Sequence, residues 1–257
     1  MPMRPDIHVH VPYPRLSEHL EYFIANRINP EVFFSAHALD HLVWEELSAQ
    51  AHLLHTAGLS TTIHAPFLDL NPGALDPSIR KVTHSRFQQV FQAAEQLKPR
   101  IIVFHPGYDE LRYGGNRLDW LKNSIDFWRE FVPCAKEAGS IIAVENIFEK
   151  EPSTLRGLLE AIDDPCFRHC FDVGHWNMFT TVTLEEWFAN LGSFLVETHV
   201  HDNHGSIDEH LPLGEGQIDF DLLFDLMRRH APDAVCTIEA HTFERMERAL
   251  KALEKYL

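Results

Sequence analysis

The sequence is poor in cysteine and has no long apolar run. Its four cysteines, Cys134, Cys166, Cys170 and Cys236, form no C-x-x-C pair, which favours a reducing compartment. The first ten residues, MPMRPDIHVH, lack the apolar core of a signal peptide, so we expect a cytoplasmic protein. No apolar segment approaches the roughly 20 residues that a bilayer-spanning helix needs, so we expect no membrane partner.

Basic residues are also scarce. There are 22 Lys and Arg against 38 Asp and Glu, giving a formal net charge of −16. The field of such a molecule repels polyanions, which argues against a nucleic-acid partner and favours a small-molecule substrate. Histidine, in contrast, is abundant at 18 residues. Since neutral imidazole is the commonest metal ligand in proteins, this abundance points towards metal chemistry.

Strand-like and helix-like segments alternate along the whole chain. Helix-like stretches such as RLDWLKNSIDFWREFVPCAKEAG and TLEEWFANLG separate the strands, and the second opens with a capping box formed by Thr183 and Glu186. No linker rich in Gly, Ser or Pro divides the chain. The pattern predicts an α/β fold, a single (β/α)8 TIM barrel in which residues 1–257 form one domain. The eight strand-like runs are DIHVHV (6–11), EVFFSA (31–36), STTIHAPF (60–67), RIIVFHPG (100–107), SIIAVENIF (140–148), HCFDVGH (169–175), FLVETHVHDN (194–203) and AVCTIEAH (234–241).

The ends of these strands carry side chains of one chemical kind. A TIM barrel places its active site at the carboxyl ends of its strands, and six of the eight predicted strands end there in His, Asp or Glu. Unpaired buried charges cost several kcal/mol, and no Lys or Arg lies on the neighbouring strand ends. The convergence therefore predicts a divalent metal site. Its strand-end residues are His64, His105, Glu145, Asp172, His175, His199 and Glu239.

Other histidines need separate interpretation. Asp208 and His210 stand two apart in DEHLPLGEG (208–216), whose Pro and glycines predict a loop that brings further ligands to the site. His199 and His201 share one face of a strand. We expect His199 to contact the metal and His201 to face the substrate. His8 and His10, on the first strand, are interpreted as polar residues of the barrel mouth.

Ordered motifs connect these residues to a known family. IHAPFLDLN, HPG, EN, FDVGH, H-x-H-D-N, DEHLPLGEGQID and IEAH occur in this order between residues 64 and 241. In them the chain resembles the AP endonuclease family 2, or xylose isomerase-like, TIM barrels, which include endonuclease IV and many sugar isomerases and epimerases.

The resemblance implies two alternative metal sites. Resemblance to endonuclease IV implies three zinc ions, each held by one of the three sets given at the end of this paragraph. Resemblance to the sugar isomerases implies only the ion of the second set, with His175 near the substrate. We therefore expect one to three divalent ions per chain, Zn²⁺ or Mn²⁺. The three implied sets are His64, His105 and Glu145; then Glu145, Asp172, His199 and Glu239; then His175, Asp208 and His210.

The chain departs from endonuclease IV where that enzyme holds DNA. Glu209 stands where the family has an arginine, and the segment between His199 and Asp208 contains no Lys or Arg. SAHALDHLVW, after the second strand, offers no arginine that could enter a duplex. An acidic residue in place of a phosphate contact reverses the sign of the interaction, so cleavage of abasic DNA is disfavoured.

Three functions remain open from the sequence. The complete set of ligand-type residues favours hydrolysis of a phosphoester on a small substrate, with Glu145 bridging two ions and Arg112 and Arg117 binding the distal anionic part. The alternative is isomerisation or epimerisation of a sugar or sugar phosphate through an enediolate, with Glu145 and Glu239 as base and acid and His175 orienting an oxygen. A barrel that binds without catalysing is the least favoured.

Overall fold

The computed structural model describes residues 6–256, which form a closed barrel of eight parallel strands in chain order. Each strand pairs with the next, and the first pairs with the eighth, for example Ile7 with Cys236. Because all the strands are parallel, their carboxyl ends meet at one mouth of the barrel. The strands are β1 (Ile7–Pro12), β2 (Asn29–Phe33), β3 (Thr62–His64), β4 (Ile101–Phe104), β5 (Ile141–Glu145), β6 (Phe167–Asp172), β7 (Leu195–Val200) and β8 (Val235–Ile238).

Helices connect the strands and cover the outside of the barrel. Two further 3₁₀ turns lie at Gly114–Asn116 and Gly192–Phe194. Within residues 6–256, none of the helices combines the length and the apolar character that crossing a bilayer requires. The helices are α1 (Tyr13–Asn26), α2 (Ala36–Asp40), α3 (Trp44–Thr56), α4 (Pro77–Leu97), α5 (Glu110–Tyr113), α6 (Arg117–Ala138), α7 (Ser153–Ile162), α8 (Val173–Phe179), α9 (Leu184–Leu191), α10 (Phe220–His230) and α11 (Phe243–Leu253).

The main apolar core lies between the barrel and its helices. Trp128 of α6 is fully buried, and its ring lies 5.3 Å from that of Phe104 in β4 and 5.3 Å from that of Phe167 in β6. Buried aromatic side chains of this size remove a large apolar area from water, at about 25 cal/mol per Å². This packing fixes α6 against β4 and β6, while the pairing of both strands with β5 sets their register.

The structure confirms the predicted (β/α)8 barrel, and each predicted run overlaps one strand. The Thr183 half of the predicted capping box is present, since the Thr183 side chain accepts a hydrogen bond from the Glu186 N–H at 3.2 Å. The sixth run differs from the prediction because β6 ends at Asp172. Its carboxylate accepts the His175 N–H at 2.6 Å and caps α8, so His175 is carried by a helix and not by a strand end.

Candidate metal centre

Glu145 lies at the centre of the barrel mouth. It is the last residue of β5 and is buried. Its Oε2 lies 3.2 Å from His64 Nε2 and 3.3 Å from His105 Nε2, and its Oε1 lies 3.1 Å from His175 Nδ1. The structure therefore brings together His64, His105 and Glu145, the first of the three predicted ligand sets.

His199 joins this cluster to the eighth strand. Its Nδ1 lies 3.3 Å from Glu239 Oε1, 3.6 Å from Glu145 Oε2 and 3.9 Å from Asp172 Oδ2. Glu239 follows β8 directly, while Asp172 ends β6, so three carboxylates from separate strands surround one imidazole nitrogen. This is the second predicted set.

The third set lies on the outer side of the mouth. Asp208 Oδ2 is 3.0 Å from His210 Nε2 and 3.5 Å from His175 Nε2. His210 has a positive φ of 47°, a left-handed conformation that costs a residue with a Cβ of order 1–3 kcal/mol. The surrounding loop holds His210 in this conformation, with its imidazole towards Asp208.

Asp202 anchors the loop that carries Asp208 and His210. Residue 202 exchanges two backbone hydrogen bonds with Leu211, at 2.8 and 2.9 Å. The Asp202 carboxylate accepts the backbone N–H groups of Gly214, Gly216 and Ile218 at 2.8 to 3.2 Å. Several charge-assisted hydrogen bonds to one buried carboxylate hold both ends of the loop together.

Buried polar atoms without a hydrogen bond test whether a metal ion fits these residues. Among the described residues, His199 Nδ1, His201 Nδ1 and Asp208 Oδ1 are such atoms, and all three face the cluster. Leaving buried polar atoms unpaired costs about 1–3 kcal/mol each, and a cation removes that cost. Imidazole nitrogens and carboxylate oxygens are also the ligands that Zn²⁺ and Mn²⁺ accept. The residues fit a divalent ion.

The electrostatics of the cluster keep its carboxylates ionised. Burial by itself raises the pKa of Glu145, but the neighbouring His105 and His199 hold it well below its usual range. Burial likewise raises the pKa of Glu239, and His199, His10 and His210 outweigh it and bring the value to about 2. Both carboxylates are therefore available as metal ligands or as proton acceptors near neutral pH.

Glu31 is a further member of the cluster, which the strand-end pattern of the sequence did not identify. It is fully buried in β2, with Oε2 3.2 Å from His199 Nε2 and Oε1 3.0 Å from His10 Nδ1. His10 also lies 3.3 Å from Glu239 and so belongs to the cluster. The available signal was a glutamate inside an apolar strand, because such a charge requires a buried partner.

The central cavity has a volume of about 470 Å³ and opens at the barrel mouth. No Lys or Arg of residues 6–256 lines it. Its apolar wall contains Phe33, Phe67, Ile147, Phe148, Met178 and Phe179, and its polar wall contains His10, His64, His105, Glu145, His175, Asp208, His210, Glu239 and His241.

The three predicted substrate-binding residues lie outside this cavity. His201 is fully buried behind it, 3.1 Å from Asp172 Oδ2 and stacked on His210 at 4.0 Å. Arg112 lines a neighbouring cavity and lies 3.5 Å from Asp109. Arg117 donates to the Ser153 hydroxyl at 3.3 Å on the surface. Their predicted contacts with substrate stay predictions.

Comparison with known proteins gives several relatives. The chain is 30% identical over 202 residues to the uncharacterized protein MJ1311 of Methanocaldococcus jannaschii, covering 76% of this chain and 69% of that protein. It is 26% identical over 164 residues to L-ribulose-5-phosphate 3-epimerase UlaE of Salmonella typhi, covering 61% and 55%. It is also 26% identical over 212 residues to a probable endonuclease 4 of Mycobacterium leprae, covering 74% and 77%.

Two solved structures share the fold along almost the whole chain. A D-tagatose 3-epimerase-like protein superposes with a TM-score of 0.84 at 24% identity, covering 98% of this chain and 96% of the other. The TTHB071 protein of Thermus thermophilus, soaked with ZnCl₂, gives a TM-score of 0.81 at 24% identity, covering 98% and 97%. The model of the xylose isomerase-like TIM barrel family matches residues 31–256, which confirms the predicted resemblance. The chain belongs to the xylose isomerase-like TIM barrel family, a family of enzymes.

Proposed function

We propose that the protein is a divalent-metal-dependent isomerase or epimerase of a sugar. One observation carries the proposal: Glu145 and Glu239 approach the same nitrogen of His199 from different strands, and both line a cavity whose described wall has no Lys or Arg. The sequence alone favours phosphoester hydrolysis. The names of the relatives support the sugar reaction instead, since they include L-ribulose-5-phosphate 3-epimerase UlaE and a D-tagatose 3-epimerase-like protein.

The residues of the second set are those that would hold the ion, namely Glu145, Asp172, His199 and Glu239. When bound, a divalent ion supplies the positive charge that polarises a carbonyl and stabilises negative charge on the adjacent oxygen. In this proposal Glu145 and Glu239, both ionised, accept a proton from the carbon beside that carbonyl and return it.

Other cavity residues orient the sugar and exclude water. His175 lines the cavity, and its pKa is raised because Asp172, Asp208 and Glu145 outweigh the opposing effect of burial. It therefore donates a hydrogen bond to a sugar oxygen. Phe67, in the cavity wall, offers an apolar surface to the C–H face of the ring. Neutral sugars need no Lys or Arg, and the described wall of the cavity contains neither.

Phosphoester hydrolysis remains the second candidate because of one observation. Asp208 lies within 3.5 Å of both His175 and His210, next to the second set. A cluster of two or three cations is the arrangement that in-line attack at phosphorus requires. A single-ion isomerase does not need this third set.

Proton exchange with solvent tests the proposal directly. The protein is loaded with Zn²⁺ or Mn²⁺ and incubated in D₂O with D-fructose, D-tagatose and L-ribulose 5-phosphate, and NMR follows deuterium at the carbon beside the carbonyl. We expect exchange with at least one ketose and a loss of more than about 100-fold in Glu239→Gln. Leu118→Ser, which changes an exposed side chain outside the cavity, serves as the matched control.

Metal content separates the two candidates. The proposal predicts that the double variant Asp208→Ala/His210→Ala keeps one tightly bound ion per chain and keeps the proton exchange. A different set of results contradicts the isomerase proposal and supports the hydrolase. In it, the protein hydrolyses bis(p-nitrophenyl) phosphate, the same double variant loses this hydrolysis, and no ketose shows proton exchange.

A further inference from the structure

His201 is a fully buried histidine with one ring nitrogen that has no partner. Its Nε2 lies 3.1 Å from Asp172 Oδ2, so the Nε2–H donates to this carboxylate. Among residues 6–256, neither His201 Nδ1 nor Asp208 Oδ1, which lies 3.7 Å from it, makes a hydrogen bond. In the neutral imidazole both atoms are acceptors, and a cation between them removes the cost of leaving them buried and unpaired.

The hydrogen bond to Asp172 gives His201 the arrangement of a metal ligand. Histidines that bind metals almost always donate their other ring N–H to a carboxylate, a carbonyl or water, which fixes the tautomer and directs the free nitrogen at the ion. Gly174 makes room for the ring, since a Cβ at this position would clash with His201 Cε1. The position of this imidazole therefore requires the glycine of the FDVGH motif.

Two further ligand atoms converge on the same place. The ring of His210 stacks on that of His201, with the centroids 4.0 Å apart and an angle of 3° between the planes. His210 Nδ1 also lies 3.6 Å from Glu239 Oε2, and one ligand atom from each of these three residues lies within 4.8 Å of the others. Two ligands of a tetrahedral zinc ion, each about 2.1 Å from it, are roughly 3.4 Å apart. The separations of 3.6 and 3.7 Å in this cluster are close to that value.

Glu239 faces two groups of ligands with its two oxygen atoms. Its Oε1 lies 3.3 Å from His199 Nδ1, which belongs to the second predicted set, and its Oε2 faces His210. An ionised carboxylate has lone pairs on both oxygens and can bind one ion through each. Glu239 can therefore join an ion of the second predicted set to an ion at His201 and His210.

The third predicted set, which contains His175, uses other atoms of the same loop. His175 Nε2 lies 3.5 Å from Asp208 Oδ2, but this oxygen already lies 3.0 Å from His210 Nε2. The unpaired oxygen of Asp208 is the other one, Oδ1, which faces His201. The unpaired atoms thus favour His201 over His175 as the histidine that completes a site with Asp208.

We propose that the protein binds a divalent ion, called the outer ion below, between β7, β8 and the loop that follows β7. Two imidazole nitrogens and two carboxylate oxygens form a four-coordinate donor set that suits Zn²⁺. His201 then contacts a metal ion in place of the substrate that its sequence position predicts. The proposed sugar reaction uses only the ion of the second predicted set, so the outer ion goes beyond that reaction. Its ligands are His201, Asp208, His210 and Glu239.

Metal counting tests the outer ion with two matched variants. The unaltered protein, His201→Gln and His175→Gln are dialysed against a buffered micromolar concentration of free Zn²⁺, and plasma mass spectrometry measures the zinc bound per chain. The glutamine at position 201 keeps an N–H donor for Asp172 and removes the nitrogen that faces the outer ion. We expect His201→Gln to bind one ion fewer than the unaltered protein. His175→Gln, the same substitution in the third predicted set, should bind as many ions as the unaltered protein.

Three results overturn the outer ion. The first is fewer than two zinc ions per chain in the unaltered protein. The second is the loss of an ion from His175→Gln, which assigns that ion to the third predicted set. The third is a folded His201→Gln protein, verified by near-UV circular dichroism, that binds as many ions as the unaltered protein or none.

The count in His175→Gln decides the question if His201→Gln does not fold. Retention of two or more ions in His175→Gln then supports the outer ion, and loss of one overturns it. The experiment counts ions and does not measure turnover. Its outcome is therefore separate from failure of the proposed function, which the exchange of ketose protons in D₂O reports.

Discussion

Replacement of Glu31 by Gln tests how the metal centre is held. Glu31 accepts one hydrogen bond from the imidazole of His199 through Nε2 and another from His10 through Nδ1. Donation from Nε2 leaves the lone pair of His199 Nδ1 directed towards Glu145 and Glu239. Glu31 therefore fixes the tautomer and orientation in which His199 can bind a metal ion.

The size of the effect follows from the number of acceptors. A glutamine offers one carbonyl oxygen to two imidazole N–H donors, so one of the bonds at 3.0 and 3.2 Å is lost and the other loses its charge. A hydrogen bond to a charged group contributes about 1.5–3 kcal/mol. We expect zinc affinity to fall about 10- to 100-fold, the range typical for residues that orient a metal ligand.

Competition with a chelator of known zinc affinity measures this effect. Glu247→Gln removes the same charge from an exposed position on α11, where Tyr22 is its hydrogen-bond donor, and should leave the affinity unchanged. A folded Glu31→Gln protein, verified by near-UV circular dichroism, that binds zinc as tightly as the unaltered chain would refute the reasoning.

Two further predictions concern stability. His169 is buried, and burial lowers its pKa to about 4, so folding disfavours its proton. As pH falls from 6.5 to 4, the unfolded chain takes up this proton and the folded chain does not. In urea unfolding, the free energy of unfolding of the metal-free protein should therefore fall by about 3 kcal/mol more than that of His169→Asn. Equal decreases in the two proteins would count against this prediction. Gly107 has a φ of +75°, and a Cβ there would lie 2.8 Å from Asn71 Cγ. Gly107→Ala should therefore cost about 2 kcal/mol or more, against about 1 kcal/mol for Gly58→Ala, whose φ is similar and whose surroundings are open. Equal melting temperatures in the two variants would show that the contact with Asn71 is unimportant.

The barrel could be predicted because each strand and helix has a local pattern, and the ligand types could be predicted because they stand at strand ends. Glu31 could not be identified in this way. It lies inside an apolar run, and its partner His199 is 168 residues away, so no local spacing relates them. The position of His175 depends on a helix cap, since Asp172 caps α8 at a point where the sequence pattern predicted that the strand continues. Arg112 lies in the short helix α5, whose course depends on its Asp109 cap and on the contact of Tyr113 with Asn71, not on periodicity.

Because Asp202 anchors the loop, the residues that hold the loop in place differ from Asp208 and His210, which it carries to the site. The loop conformation depends on Asp202 and on backbone N–H groups, and Gly216 packs so closely on that carboxylate that a Cβ would clash with it. Asp208 and His210 lie between these anchor points and do not hold them in place. Substitutions at these two positions can therefore accumulate without loss of the loop conformation, so the third predicted ligand set can change while the loop that carries it keeps its fold.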